Sequence, residues 1–468
     1  MTRSPHTASP VAGTPRSSHH EVIVVGGGIA GLVAAWCLRD RDVVLLEASG
    51  RAGGRALSKT RDGYWVNLGA HIIDVTSGGV LANYAREFNL PVVVPQGSLL
   101  AVGMGRRLIR AGRPEVLPFR LPLDLAGRAS LVRVGLRLRR ALIPVRRAEH
   151  LRESQPPQID RLDLDARLDD MTFSDVLGKM HPDVAALMRV TANRMGTEPD
   201  RVSGHRAVWN ALGIWGSRRG NIAGGTAALT DAIASALGDR VWTGAAATRI
   251  SQTQAEVSVE ADLKGEPVHL TAETCVVAVP APVVCDIVDD LPASKREALG
   301  RIPYGPYVVA GIFTDETSAM PWDDVYAAAV PGRSFSMLFN SANPARTAGH
   351  RTAGGSLVVY AAGDPAAELL ALTDAEITDR FLGDLHGLLP QSRGAIKEVV
   401  VQRWPMGIPI SVPGRARLQP QVAAPHGRLY FAGDYIVDPG LDSAAWTAQV
   451  AAEKARSVIS GAEPHRTD

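Results

Sequence analysis

Three glycines and one glutamate near the start of the chain have the types and spacing to hold a diphosphate. Gly26, Gly28 and Gly31 follow the apolar run Val22–Val25, and a helix-forming run, Leu32–Leu38, follows them. A second apolar run, Val43–Leu46, ends in Glu47. This spacing predicts a strand, a tight turn, a helix and a second strand. The first glycine permits the turn, the second lets backbone approach a pyrophosphate, and the third lets helix and strand pack closely. The helix start offers free N–H groups and the positive end of its dipole. A carboxylate about twenty residues beyond the first glycine is placed to accept ribose hydroxyls.

The next residues add charge of the opposite sign. Glu47-Ala-Ser-Gly-Arg51-Ala-Gly53-Gly54-Arg55 pairs two arginines with a double glycine. A planar guanidinium grips phosphate oxygens with two bonds, and paired glycines let backbone come close. This E-x-x-x-R-x-G-G-R run resembles the second fingerprint of the flavin amine oxidase superfamily, which includes monoamine oxidases, protoporphyrinogen oxidases and phytoene-type desaturases. The resemblance implies FAD, with Arg51, Gly54 and Arg55 near its diphosphate.

The C-terminus resembles the same superfamily. Gly427-Arg-Leu-Tyr-Phe-Ala-Gly433-Asp434 precedes Gly440-Leu-Asp442-Ser-Ala444-Ala. Leu429–Ala432 reads as a strand, and Asp442 or Ser443 as the cap of a helix running to about Ile459. The resemblance implies that Asp434, after Gly433, bonds the ribityl and phosphate region. It also implies that the last helix, with Ala444 in its first turn, points its N-terminus at the flavin and stabilises the reduced anion. A middle segment, Asn221 to Pro280, is similar to the family's second cofactor-domain segment, in which Ala247 would contact adenine through its backbone.

These pieces need a large scaffold. The chain has 468 residues, 46% of them hydrophobic, enough for two or three domains with buried cores. A net charge of +2 leaves no electrostatic footprint for nucleic acid. Three scattered cysteines, Cys37, Cys275 and Cys285, fit neither a disulfide framework nor a metal site, and they suggest a reducing cytoplasm. No run approaches the ~18 apolar residues of a membrane span. Residues 1–20, rich in Ser, Thr, Pro and His, are expected to form a disordered leader. The family pattern implies an α/β fold in which a Rossmann-like FAD domain (21–95, 220–300, 415–462) interleaves with an α+β substrate domain (96–219, 301–414).

On the substrate side, residues 127–147 place Leu131, Val134, Leu138, Leu142 and Val145 at three- and four-residue spacing, with Arg133, Arg137, Arg140 and Arg147 near the other face. The pattern predicts an amphipathic helix that ends or kinks around Pro144. It fits a surface helix packed on its apolar side, a membrane-surface helix, or an electrostatic funnel for an anionic substrate.

Substrate-side residues separate this chain from the simplest relatives. The amine oxidases' flavin-proximal lysine has no counterpart in Tyr304-Gly-Pro-Tyr307-Val-Val-Ala-Gly-Ile-Phe313. The two tyrosines that frame amines in monoamine oxidases are replaced around Ile408–Ile410 and Gly440. Arg403-Trp404-Pro-Met-Gly-Ile-Pro409 is similar to the R-W-x-x-x-x-P stretch of protoporphyrinogen oxidases. Pocket candidates are Trp404, His71, which follows Leu68-Gly-Ala70, and Asn340, which ends the run Phe335–Phe339.

The resemblance implies hydride transfer from a C–N or C–C bond of a specialised small molecule to flavin N5, with noncovalent FAD and O₂ as reoxidant. A desaturase or porphyrinogen-type oxidase at a membrane surface is the alternative enzyme. A non-catalytic prenyl-protein binder, as in the GDP-dissociation inhibitors of Rab proteins, is the alternative of another class.

Overall fold

The computed structural model describes residues 17–75, 79–96, 101–110, 112–153, 159–162, 164–212, 219–346 and 352–461. The elements that position the site, in chain order, are β1 (Ser17–Val25), α1 (Ile29–Cys37), β2 (Val43–Glu47), α2 (Leu125–Glu153), β3 (Tyr304–Thr314), β4 (Ile396–Pro409) and α3 (Leu441–Ile459).

The strand β1 starts four residues inside the expected leader. Ser17–His20 pair with His269–Ala272 of the long strand Glu266–Val277, which supplies backbone partners that composition does not show. The first sixteen positions of that leader lie outside the described residues, as does residue 462.

One seven-stranded sheet carries the nucleotide motif. Its order is Val241–Thr243, β2, β1, Glu266–Val277, Val257–Leu263 and Ala245–Gln252, with Leu429–Phe431 beside Glu266–Val277. The strands next to β1 run parallel to it. Val22 and Val24 face the cluster that holds α1 and α3, while Ile23 and Val25 face the opposite cluster. All four are at most 2% exposed, as expected of a central strand covered on both faces. Each contributes about 1.5–3 kcal/mol of burial.

The helix α3 lies against α1 through a stripe of buried alanines, Ala444, Ala448, Ala451, Ala452 and Ala455. Small side chains let the two axes approach closely. This packing puts the first and last helices of the cofactor half on one face of the sheet.

The second sheet is built from residues 101–110 and 304–409, in the order β4, β3, Gly355–Ala362, Met337–Asn340, Ala327–Ala329, Ala101–Met104 and Arg107–Arg110. Strands of the first sheet flank these segments in sequence, so the fold is α/β with two interleaved halves. The helix α2 covers a separate core beside the second sheet, with Val134 at 1% and Val145 at 0% exposure. It does not stop at Pro144 but runs to Glu153. A proline inside a helix loses one backbone bond, and the buried Val145 just beyond it holds the next turn in place.

A candidate flavin site and an aromatic cluster

The glycine turn is built as the spacing predicts. Gly26 adopts φ +103°, which side chains disfavour, and its N–H donates to Leu46 O at 2.8 Å. A Cβ on Gly31 would lie 1.7 Å from Gly26 O, so only glycine lets α1 start this close to β1. At Gly28 an added Cβ would meet nothing within 4 Å. That open space lies at the start of α1, where Gly28 is the N-cap and no side chain caps the helix. The free N–H groups there suit a phosphate.

Glu47 is held in place before any ligand arrives. Its Oε2 accepts Gly27 N–H at 2.7 Å, and its Oε1 accepts Ser49 N–H at 2.8 Å and Ser49 Oγ–H at 2.6 Å. The double glycine abuts the first motif. Gly53 N–H donates to Gly27 O at 2.7 Å, and a Cβ on Gly54 would sit 3.0 Å from Gly28 Cα.

The two arginines divide their work. Arg55 Nη2 donates to Asp434 Oδ1 at 2.7 Å and Nη1 to Gly407 O at 2.9 Å. Burial pulls its guanidinium down and the Asp434 carboxylate more than compensates, so it stays charged. Arg51, expected at the diphosphate, spends its guanidinium on carbonyls of its own loop, at Ala52 and Gly54. It braces the turn that presents Gly54.

The C-terminal half converges on the same place. Gly433 takes φ +150° and exchanges bonds with Thr447 Oγ1, which ties the strand end to α3. Gly440, not Asp442 or Ser443, is the N-cap of α3, and it carries no side-chain cap. The Asp442 carboxylate instead accepts Asp74 N–H at 3.1 Å and Leu81 N–H at 2.9 Å. The first turn of α3, with Ala444 buried in it, is left free to face a ligand. Ala247 lies on Ala245–Gln252, paired with Ala261 just before a register shift between Ala247 and Arg249. The open space at Gly28, the fixed carboxylate of Glu47 and two uncapped helix starts fit a flavin dinucleotide.

On the substrate side β4 is fastened to the cofactor loops. Trp404 Nε1 donates to Leu68 O at 2.6 Å, a few residues from the Arg55–Gly407 bond. Trp404 lies opposite Tyr307 of β3. Tyr307 and Tyr360 rings are 5.3 Å apart, Tyr360 stacks on Phe339 at 6.0 Å, and Phe339 meets His71 edge-on at 4.7 Å. Two of the three pocket candidates, Trp404 and His71, therefore belong to one aromatic cluster. Asn340 is committed elsewhere, with its amide donating to Trp322 O at 2.8 Å.

His71 is neutral. Burial pulls its imidazole down to about 4, partly offset by the bond from Nδ1 to Gly69 O at 3.3 Å. That donation leaves Nε2 as an acceptor, and the buried Nε2 has no partner among the described residues. Burial likewise raises Tyr360 to about 12, so this ring also stays uncharged.

A cavity of about 780 Å³ runs from this cluster toward α2. Met337, Ala329 and Val190 line its inner part, and Leu138 and Leu142 its outer part. Arg194 also lines it. Among the described residues its guanidinium has no hydrogen bond or ion pair, and burial pulls it below its ordinary value. Tyr307, Tyr360 and Arg194 escaped sequence reasoning because their meeting depends on the packing of helix Pro182–Asn193 against the second sheet. Only the aromatic content of β3 hinted at it.

The cofactor cradle and the cavity accord with the likenesses this chain shows to known proteins. It is 29% identical over 260 residues to a putative flavin-containing monoamine oxidase of Mycobacterium tuberculosis, covering 52% of this chain and 54% of that protein. It is 32% identical over 161 residues to a coproporphyrinogen III oxidase of Propionibacterium freudenreichii, covering 32% and 30%. The chain spans about half the length of the curated relatives it matches. A solved structure of putrescine oxidase bound to putrescine has the same fold, with TM-score 0.72 and 19% identity over 95% of this chain and 100% of that one. Residues 29–454 match the family described as flavin containing amine oxidoreductase, and the chain belongs to that family.

Proposed function

We propose that this chain is an FAD-dependent oxidoreductase that takes hydride from a C–N or C–C bond of a largely apolar small molecule, with O₂ as reoxidant. The observation that carries this reading is the convergence of Gly28, Arg55 and Asp434, with Arg55 also bonded to β4, whose Trp404 joins the aromatic cluster. When bound, FAD supplies the two-electron acceptor. The protein's part is to bind, orient and exclude water, which fits the few titratable groups present. FAD is held noncovalently in this reading. Cys275 is buried within a strand, while Cys37 and Cys285 lie on helices of the cofactor half. Three cysteines without disulfide partners also suit a cytoplasmic setting.

The cavity's charge narrows the substrate. Glu115 is the one carboxylate among its described lining residues, and it is paired with Arg139 at 2.7 Å. A dication such as putrescine would find no free anion among the described residues there, whereas a neutral or carboxylate-bearing apolar molecule would meet Arg194. At neutral pH the Nε2 lone pair of His71 accepts a hydrogen bond and does not take up a proton, so its role is to orient substrate.

The test is anaerobic mixing of the purified holoprotein with amines, porphyrinogens and polyene precursors while the visible flavin band is followed. Bleaching by an uncharged or carboxylated apolar compound, reversed by air, is the expected result. Fast bleaching by putrescine would overturn the substrate reading, and a chain that binds no flavin would overturn the enzyme reading.

A further inference from the structure

The outer face of α2 carries a feature that packing does not explain. Leu125, Val132, Leu136 and Ile143 are 84%, 45%, 53% and 70% exposed. Their spacings of seven, four and seven residues place them within about 40° of one another around the helix. Leu131, Val134, Leu138 and Val145 occupy the opposite side and are buried. The helix is therefore apolar on both faces, and only one of them has a partner in the fold. Phe119, on the short helix Leu117–Arg120 beside α2, adds a ring that is 77% exposed.

Arginines border this stripe on both sides. By the same rotation, Arg128, Arg139 and Arg146 lie along one margin and Arg133, Arg140 and Arg147 along the other. From Leu125 to Ala148 the helix has no acidic residue. Arg139 pairs with Glu115. Arg133, Arg140, Arg146 and Arg147 carry no hydrogen bond or ion pair among the described residues. A monomer rarely exposes a contiguous row of large aliphatic side chains, and a cationic border selects an anionic partner.

The cavity supplies a second, independent observation. Its lining includes Val132 and Leu136 from the stripe and Arg139 and Arg146 from the border, so it reaches this face. Among the described residues no helix is long and apolar enough to cross a membrane. A face of this chemistry suits docking at a lipid surface.

We propose that the outer face of α2 docks on an anionic phospholipid surface, with the Leu125–Ile143 stripe inserted at the headgroup boundary and the flanking arginines on lipid phosphates. The cavity then opens toward the acyl region, where an apolar substrate concentrates. The docking goes beyond the proposed oxidoreductase activity and needs neither flavin nor substrate to be measured.

Flotation with vesicles of phosphatidylglycerol and phosphatidylcholine, against vesicles of phosphatidylcholine alone, tests it on the full chain. The protein should float with the anionic vesicles, and raising salt should release it. Arg140→Gln/Arg147→Gln should weaken binding by about thirtyfold at low salt, roughly fivefold for each arginine. Leu136→Asn/Ile143→Asn should weaken it by at least about tenfold. All four side chains are exposed, so circular dichroism and Tm should match the parent chain. Failure to float at low salt would overturn the proposal, as would variants that bind like the parent. A dimer in sedimentation that Leu136→Asn/Ile143→Asn dissolves would overturn it in favour of a second copy on this face.

Discussion

Arg55 and Asp434 meet at 2.7 Å across 379 residues of sequence, and their ion pair ties the N-terminal and C-terminal cofactor segments together. The other arm of Arg55 holds Gly407 of β4, so one side chain joins both halves of the fold. Asp434 keeps only 9% of its side-chain exposure and Arg55 keeps 29%. Arg55→Met would leave a buried carboxylate without its cation. The expected loss is on the order of 2 kcal/mol, below the figure for a fully buried pair because Arg55 is partly solvated. Asp434→Asn keeps a hydrogen-bond acceptor and should cost less. Both variants should bind less FAD. Thermal unfolding followed by circular dichroism, with the flavin-to-protein ratio, checks both effects, and equal Tm for the two would contradict the asymmetry.

Gly28 and Gly31 make a pair that separates ligand binding from folding. A methyl at Gly31 would overlap Gly26 O, so Gly31→Ala should lower Tm whether or not flavin is present. A methyl at Gly28 enters open space within the protein itself. Gly28→Ala should leave the Tm of the flavin-free chain nearly unchanged while FAD content falls. If both variants destabilise the flavin-free chain equally, the space at Gly28 is not a ligand site.

His71 gives a pH dependence with a definite sign. Its folded value of about 4 lies below the ordinary 6.5, so between these values the unfolded chain binds more protons. Stability from this group is therefore full above about pH 6.5 and is lost as pH falls toward 4. The gap corresponds to at most about 3 kcal/mol. His71→Asn should flatten the fall in Tm between pH 6.5 and 4.5. A parallel pH profile for the two proteins would show that His71 is not the group responsible.

The cofactor half was legible in sequence because its determinants are local. Gly26 to Gly31, Glu47 and Gly53–Gly54 all meet within about thirty residues of chain, and backbone sterics fix the glycines' roles. Charge pairing was less legible. Arg51 and Arg55 look alike in the motif, yet only packing decides that one braces its own loop and the other reaches Asp434. The same holds for Asp442, a plausible cap by position that bonds the Asp74–Leu81 segment instead. The cavity was hardly legible at all, since Leu138, Arg194 and Met337 come from separate elements that meet only in the folded chain. The helix over 127–147 shows the limit from the other side. Its buried stripe was read correctly, while the apolar residues facing outward were hidden among the arginines until exposure separated them.

Arg194 offers a prediction in which stability and function move in opposite directions. A guanidinium that lines a largely apolar cavity, with no hydrogen bond or ion pair among the described residues, costs desolvation energy. Arg194→Met fills similar volume and removes the charge. The flavin-bound variant should be as stable as the parent or more so, by about 1 kcal/mol or slightly above. If the arginine is retained for an anionic group on the substrate, the same change should raise KM for a carboxylated substrate by ten- to a hundredfold, about 1.4–3 kcal/mol of lost charge-assisted bonding. An uncharged analogue should be oxidised by the variant at least as well as by the parent. Measuring Tm together with kcat and KM for the matched pair of substrates distinguishes the cases. A drop in stability would mean that Arg194 has a structural partner after all. An equal rise in KM for both substrates would mean that the substitution distorts the cavity and does not remove an anion contact.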